Sequence, residues 1–283
     1  MNMKIWAHRG CSQCNPENTI TAFEKALKIP GLAGIELDIQ LTSDGEMVVI
    51  HDERVDRTTD GIGFVRDMSL KELRSLHIHN GFGPAEKIPT MREVMELLKP
   101  GLKRYQEMQE DGGLDGANIL DQGLRLNIEL KTGNYSYPGI EARIVDMVRE
   151  FDVEEAIVYS SFYAESLVRV HRLAPEAEIG VLDGRVSDCL YKAMGLEQTF
   201  GTGKGQNNTG EPRKTVESEK RLALHPNGGR IDMAAEHLAG RTVRTWFGGH
   251  LYPEKPTGGK MNLQHLEDMG ITDVFLNEPE KYL

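Results

Sequence analysis

The chain reads as a closed parallel α/β barrel, and three observations predict it. Eight short apolar runs alternate with stretches of helical spacing for nearly the full length, the pattern of parallel strands joined by crossover helices. The 283 residues fill one such barrel. No Gly-x-Gly-x-x-Gly follows the first run, which weighs against the runner-up, a doubly wound open sheet binding a dinucleotide. There is no sequence repeat, so a solenoid is not expected.

The elements follow in order. Lys4 to Ala7 forms a first strand, and Ile20, Phe23, Ala26 and Leu27 make one helical face within Thr19 to Leu27. Ile35 to Leu41 is the second strand. Asp44-Gly45 turns the chain into a returning strand, Met47 to Ile50. Asp52 to Ile88 is less regular, with one short helix near Leu70 to Leu76, and reads as an insertion after the second strand. Thr90 with Glu93 is a capping box that starts a helix over Met91 to Leu98. Pro100 to Gly123 and Gly201 to Glu219 are polar and read as surface segments.

Leu126 to Lys131 is the third strand. Ile140, Ile144, Val148 and Phe151 form a helical stripe. Ala156 to Ser160 and Ile179 to Leu182 are strands four and five, with helices at Ala164 to Leu173 and Asp188 to Met194. Leu222 to Leu224, Val243 to Trp246 and Val274 to Leu276 complete the eight. Helices lie between them, on the face Ile231, Ala234, Ala235 and Leu238 and over Leu263 to Met269.

Hydrophobic residues are 39% and charged residues 27%, a globular mixture. The net charge of −11 argues against a nucleic-acid binder, which needs excess Lys and Arg on one face. It leaves a small phosphate-bearing substrate open, because a cation held by carboxylates reverses the field locally. No run of about 20 apolar residues offers a membrane span. The N-terminal residues lack a secretory pattern, so the cytoplasm is the expected compartment. Cys11 and Cys14 have C-x-x-C spacing, but no second pair completes a zinc site, and three cysteines do not make a secreted disulfide framework.

The informative polar residues sit at strand ends. His8 closes the first strand, with Arg9 and Gly10 after it. Glu36 and Asp38 lie two apart on the second, Glu129 and Lys131 two apart on the third, and His51-Asp52 ends the hairpin strand. Residues two apart on a strand share a face, and the face of a barrel that carries charge is expected to be its mouth, at the C-terminal strand ends. Glu36, Asp38 and Glu129 would repel one another there unless a hard cation such as Mg²⁺ or Ca²⁺ joined them. His8 and His51 beside them suit paired acid and base catalysis. Arg9 and Lys131 supply positive charge for a phosphate. Singly, each group has a structural reading, an acidic edge or an ion pair. Their joint placement on successive strand ends is what points to metal-assisted cleavage of a phosphate ester. His77, His79, His171, His237 and His265 read as ordinary polar residues.

His8-Arg9-Gly10, Pro16-Glu17-Asn18-Thr19 and Ala22-Phe23 resemble the opening of the glycerophosphodiester phosphodiesterase family. The resemblance continues through Glu36-Leu37-Asp38, Thr42-Ser43-Asp44-Gly45, Val48-Val49-Ile50-His51-Asp52 and Arg57-Thr58-Thr59-Asp60-Gly61-Ile62-Gly63. Ile88-Pro89-Thr90, Asn127-Ile128-Glu129-Leu130-Lys131, Ser160-Ser161-Phe162 and the closing Gly270 to Pro279 extend it, more thinly after Lys131.

It implies a single TIM-type (β/α)8 barrel domain over 1–283 with a small insertion at about 52–88. It implies a divalent metal on Glu36, Asp38 and Glu129, an acid–base pair of His8 and His51, and Arg9 and Lys131 near the phosphate. Trp246 would wall the pocket, although Trp246-Phe247-Gly248-Gly249 lacks the polar residue that often ends the family's seventh strand. The expected reaction is hydrolysis of a glycerophosphodiester to sn-glycerol 3-phosphate and an alcohol. A lysophospholipase D or sphingomyelinase D-like enzyme on the same barrel, and a non-catalytic phosphate-binding barrel, are the alternatives.

Overall fold

In the computed structural model, residues 3–78, 85–110, 123–201, 222–247 and 261–283 are described. The strands are β1 (Lys4–His8), β2 (Gly34–Leu41), β3 (Met47–Val49), β4 (Arg125–Leu130), β5 (Ile157–Ser161), β6 (Glu178–Asp183), β7 (Leu222–Pro226), β8 (Arg244–Thr245) and β9 (Asp273–Leu276). The helices are α1 (Ile20–Ala26), α2 (Leu70–Ser75), α3 (Met91–Glu110), α4 (Ile140–Phe151), α5 (Ala164–Leu173), α6 (Val186–Gly201) and α7 (Leu263–Asp268). The parallel strands run in the order β7-β6-β5-β4-β2-β1-β9-β8, with β3 antiparallel on β2. Parallel bridges Leu224–Val243 and Asn227–Trp246 join β7 to the chain around β8, which brings the barrel close to closure. All eight expected barrel strands form.

Strand alternation sorts the side chains. Ile5, Ala7, Ile35, Leu37, Ile39, Leu126, Ile128 and Leu130 face outward and pack with the helices into the main core. Inside, Trp6, Val158 and Phe275 form a small apolar plug, with Trp6 edge-on to Phe275 at 5.7 Å. Gly34 exists for this plug: a Cβ there would lie 2.4 Å from the Trp6 ring and 2.6 Å from the Arg125 carbonyl oxygen.

Polar groups lie on both sides of the plug, which corrects the expectation that charge belongs at the mouth alone. Toward the N-terminal strand ends, Arg244 pairs with Asp273 at 3.1 Å and Glu178 at 2.6 Å, Arg125 pairs with Glu178 at 2.9 Å, and Trp6 Nε1 donates to Asp273 at 2.8 Å. Burial opposes ionisation of Glu178, but Arg244 and Arg125 outweigh it and hold the carboxyl at about 2. Arg244 Nη1 also donates to His225 Nε2 at 3.3 Å, inside the barrel.

The segment after β3 has its own core of Val48, Ile50, Val55, Val65, Leu73, Ile78 and Ile88. The Thr90–Glu93 capping box forms as expected: Glu93 accepts from Thr90 N at 2.8 Å, and Thr90 Oγ1 accepts from Glu93 N at 3.2 Å.

Three further expectations need correction. α3 runs on through Pro100 to Glu110, so the first half of the Pro100–Gly123 segment is helix. Proline removes one backbone donor, while Leu98 and Leu102, one turn apart, both stay fully buried and hold the helix on the barrel. α6 is longer than Asp188 to Met194 at both ends. The expected helix on Ile231 to Leu238 is only a 3-10 turn over Ala235–Leu238. Residues 111–122 and 202–221, most of the two polar segments, lie outside the described residues, as do Gly248 and Gly249.

Candidate active site

The polar mouth starts at the end of β1. Arg9 adopts φ 55° and Gly10 φ 80°, and a Cβ on Gly10 would lie 2.8 Å from Ala22. A left-handed residue other than glycine costs about 1 kcal/mol. Here that turn directs the Arg9 N–H to Glu36 Oε2 at 3.0 Å and brings its guanidinium Nε within 3.6 Å of Asp38. Asn18, also left-handed at φ 57°, donates from Nδ2 to Asp38 Oδ2 at 2.9 Å.

The register of β2 and β4 places Asp38 opposite Glu129. Oxygens of Glu36, Asp38 and Glu129 lie within 4.8 Å of one another, all three side chains buried. Burial and the neighbouring Asp38 and Glu129 charges push the Glu36 carboxyl well above its ordinary range. Asp38 is also buried, yet His51, Arg9 and Lys131 together hold its carboxyl below the usual range. The cluster therefore resists carrying three charges alone. Asp38 Oδ1 is buried without a hydrogen-bond partner, an acceptor set that fits a hard divalent cation. These three residues could hold one.

Lys131 Nζ donates to Glu129 at 3.0 Å and stands 3.9 Å from Asp38. Burial disfavours the ammonium, but Glu129 and Asp38 outweigh it and raise the Lys131 pKa.

The two histidines are held differently. His8 Nδ1–H donates to Asn277 Oδ1 at 2.7 Å, which leaves Nε2 as the acceptor, 3.8 Å from Glu36. Burial and the Arg9 charge lower the His8 pKa to about 3, so the ring is neutral. His51 Nδ1–H donates instead to the Asp52 carboxylate at 2.6 Å. Arg57 Nε donates to the other Asp52 oxygen at 2.6 Å.

Trp246 is half-buried at the end of β8, with Nε1 donating to the His225 carbonyl at 3.0 Å and its ring edge-on to Phe162 at 5.8 Å. Phe162, at the end of β5, is 41% exposed, so the pair presents an apolar surface to solvent. Of the remaining histidines, His77 pairs with Asp60 at 3.1 Å and His171 stacks on Phe200, while His79 lies outside the described residues.

The structure thus brings His8, Arg9, Glu36, Asp38, Glu129 and Lys131 into one network, with His51 held beside it by Asp52. The sequence reading missed Asn277, Asn18, Glu17 and Arg57 as contributors. Asn277 carried one signal: it lies two residues after Phe275 on β9, in the inward register. All three cysteines are free thiols, Cys11 and Cys189 buried and Cys14 exposed. Among the described residues, no helix is long and apolar enough to cross a membrane.

A family model described as the glycerophosphoryl diester phosphodiesterase family matches residues 8–188. A glycerophosphodiester phosphodiesterase from Caldanaerobacter subterraneus subsp. tengcongensis is 43% identical over 185 residues, 64% of this chain and 67% of that one. A protein of the same name from Bacillus altitudinis is 40% identical over 182 residues, 63% of this chain and 66% of that one. The matched stretch thus spans about two thirds of these relatives. The structure of an Oleispira antarctica phosphodiesterase in complex with the product sn-glycerol-3-phosphate superposes with a TM-score of 0.65 at 23% identity, over 98% of this chain and 94% of that one, and shares the barrel fold. With the family match covering well over half its length, the chain belongs to the glycerophosphoryl diester phosphodiesterase family, a class of phosphoric diester hydrolases.

Proposed function

We propose that this protein, read as one barrel domain with the 52–88 segment as its insertion, hydrolyses small glycerophosphodiesters to sn-glycerol 3-phosphate and an alcohol. One observation carries the reading: three buried carboxylates converge beside two histidines whose Nδ1 atoms are both occupied. Glu36, Asp38 and Glu129 would hold Mg²⁺ or Ca²⁺. Such a cation supplies positive charge that offsets the phosphate and acidifies the glycerol hydroxyl next to the ester.

The protein groups do the rest. His8, buried and neutral with Nε2 free, accepts the proton of that hydroxyl. The hydroxyl then attacks phosphorus from within the same molecule, at high effective concentration. His51, paired with Asp52, gives a proton to the departing alcohol oxygen. Water opens the resulting cyclic phosphate with the two roles exchanged. Arg9 and Lys131 meet the phosphate charge, and Trp246 with Phe162 lines the side where the alcohol leaves.

The test is a screen of glycerophosphodiesters with Mg²⁺, Ca²⁺, Mn²⁺ or chelator, beside His8→Ala and His51→Ala. Turnover should need the cation, and each histidine variant should lose about 10²- to 10⁴-fold while binding metal normally. Ligand binding without cation-stimulated turnover would show a non-catalytic barrel. Preference for lysophosphatidylcholine over glycerophosphocholine would show a lipid-directed enzyme instead.

A further inference from the structure

His8 and Arg9 sit at the end of β1, whereas His51 heads the segment that leaves the barrel after β3. Their mutual placement depends on a chain of ion pairs. Glu17, 6% exposed, accepts from Arg9 Nη1 at 2.9 Å and, through both oxygens, from Arg57 at 2.7 and 2.8 Å. The third nitrogen of that fork, Arg57 Nε, reaches Asp52, whose other oxygen holds His51. Arg57 thereby spends its whole planar fork on two carboxylates, a geometry lysine cannot reproduce. The apolar core of this segment, Val55 and Val65 among it, sets the segment's own shape. Arg57 is outside that core, and its contacts run toward the mouth.

We propose that Glu17 and Arg57 are positioning residues that lock His51 in register with Arg9, so that the proton of His51 meets the leaving oxygen while Arg9 holds the phosphate. The inference rests on the reading of His51 as the acid. In that step the phosphorus–oxygen bond to the alcohol breaks, its electron pair stays on the alcohol oxygen, and that oxygen takes the proton from His51 Nε2.

The experiment compares two substrates, glycerophosphocholine and a glycerophosphodiester of p-nitrophenol, whose leaving oxygen departs without a proton. Arg57→Gln should lower first-turnover alcohol release from the choline ester by about 10- to 100-fold, with KM nearly unchanged, and leave first-turnover p-nitrophenol release almost intact. Arg57→Lys should not restore the choline ester rate. Glu17→Gln should lower kcat on the choline ester similarly and also raise KM for both substrates, because Arg9 loses its anchor. The Glu17→Gln/Arg57→Gln double variant should be no slower on the choline ester than Glu17→Gln alone, since one chain is broken twice. Circular-dichroism melts check that each variant is folded. Equal loss on both substrates by a folded Arg57→Gln, or full activity on both, overturns the proposal, as does an additive double variant. His51→Ala is the reference. Release is timed in the first turnover, before the cyclic phosphate opens and His51 acts again as base; if His51→Ala loses both substrates equally there, the acid assignment is wrong and the proposal falls with it. If it spares p-nitrophenol release and Arg57→Gln does not, only the positioning role fails.

Discussion

Removing the Asn277 amide tests how far the site depends on orientation of one ring. In Asn277→Ala the His8 Nδ1–H loses its 2.7 Å acceptor inside a nearly closed environment, where His8 is 8% and Asn277 4% exposed. An unsatisfied buried donor costs about 1–3 kcal/mol. If the ring must keep its orientation in the transition state, that cost appears as a loss of roughly 5- to 150-fold in kcat. The assay is steady-state hydrolysis of glycerophosphocholine at saturating cation, with cation affinity measured in parallel by calorimetry. The carboxylates are not altered, so cation affinity should stay within about twofold, below the scale of one lost hydrogen bond. Asn277→Asp should behave differently: it restores the acceptor and adds a negative charge that favours the imidazolium, so the rate at neutral pH stays depressed and recovers as pH rises. An Asn277→Ala enzyme within twofold of the parent would refute the idea that this amide orients the base.

Further outcomes follow from the same contacts. Asp38→Asn should weaken cation binding and turnover together, by at least tenfold in affinity, because it removes a charge from the buried trio; titration with Mn²⁺ followed by electron paramagnetic resonance reads it directly. His225, in the barrel interior, has its pKa lowered well below 6.5 by burial and by Arg244. The unfolded chain therefore takes up that proton first, and stability should fall as pH drops below 6.5, with Glu178 extending the loss from 4.5 down through about 2. Urea midpoints across acid pH should show His225→Gln reducing the slope just below pH 6.5, with the share of His8, whose pKa is lowered to about 3, and that of Glu178 remaining. Gly34→Ala should cost about 1–3 kcal/mol or more by overpacking, since the new methyl meets the Trp6 ring and a backbone oxygen that cannot swing aside; an unchanged urea midpoint would contradict the packing described.

Much of the molecule was legible in its residues. The strands themselves and the Glu36–Asp38 pair follow from local pattern, since residues two apart share a face by alternation alone, whereas Glu129 joins them only through the register of β4 on β2. The capping box at Thr90 is likewise local chemistry. Helix lengths were harder. Pro100 signals a stop, yet α3 continues, because Leu102 gains more from burial against the barrel than the helix loses at one missing donor.

The polar partners divide in the same way. Residue types on a strand determine which groups can meet a cation, because alternation is a property of the backbone. Only closure of the barrel decides that His8 is held by an amide 269 residues away, whereas His51 is held by its own neighbour in the chain. Closure also decides that Arg244, Glu178 and Asp273 meet beneath the Trp6 plug. Such contacts join strands whose adjacency comes from wrapping the sheet on itself. No short window of sequence carries that information, since it arises when the first and last strands pair.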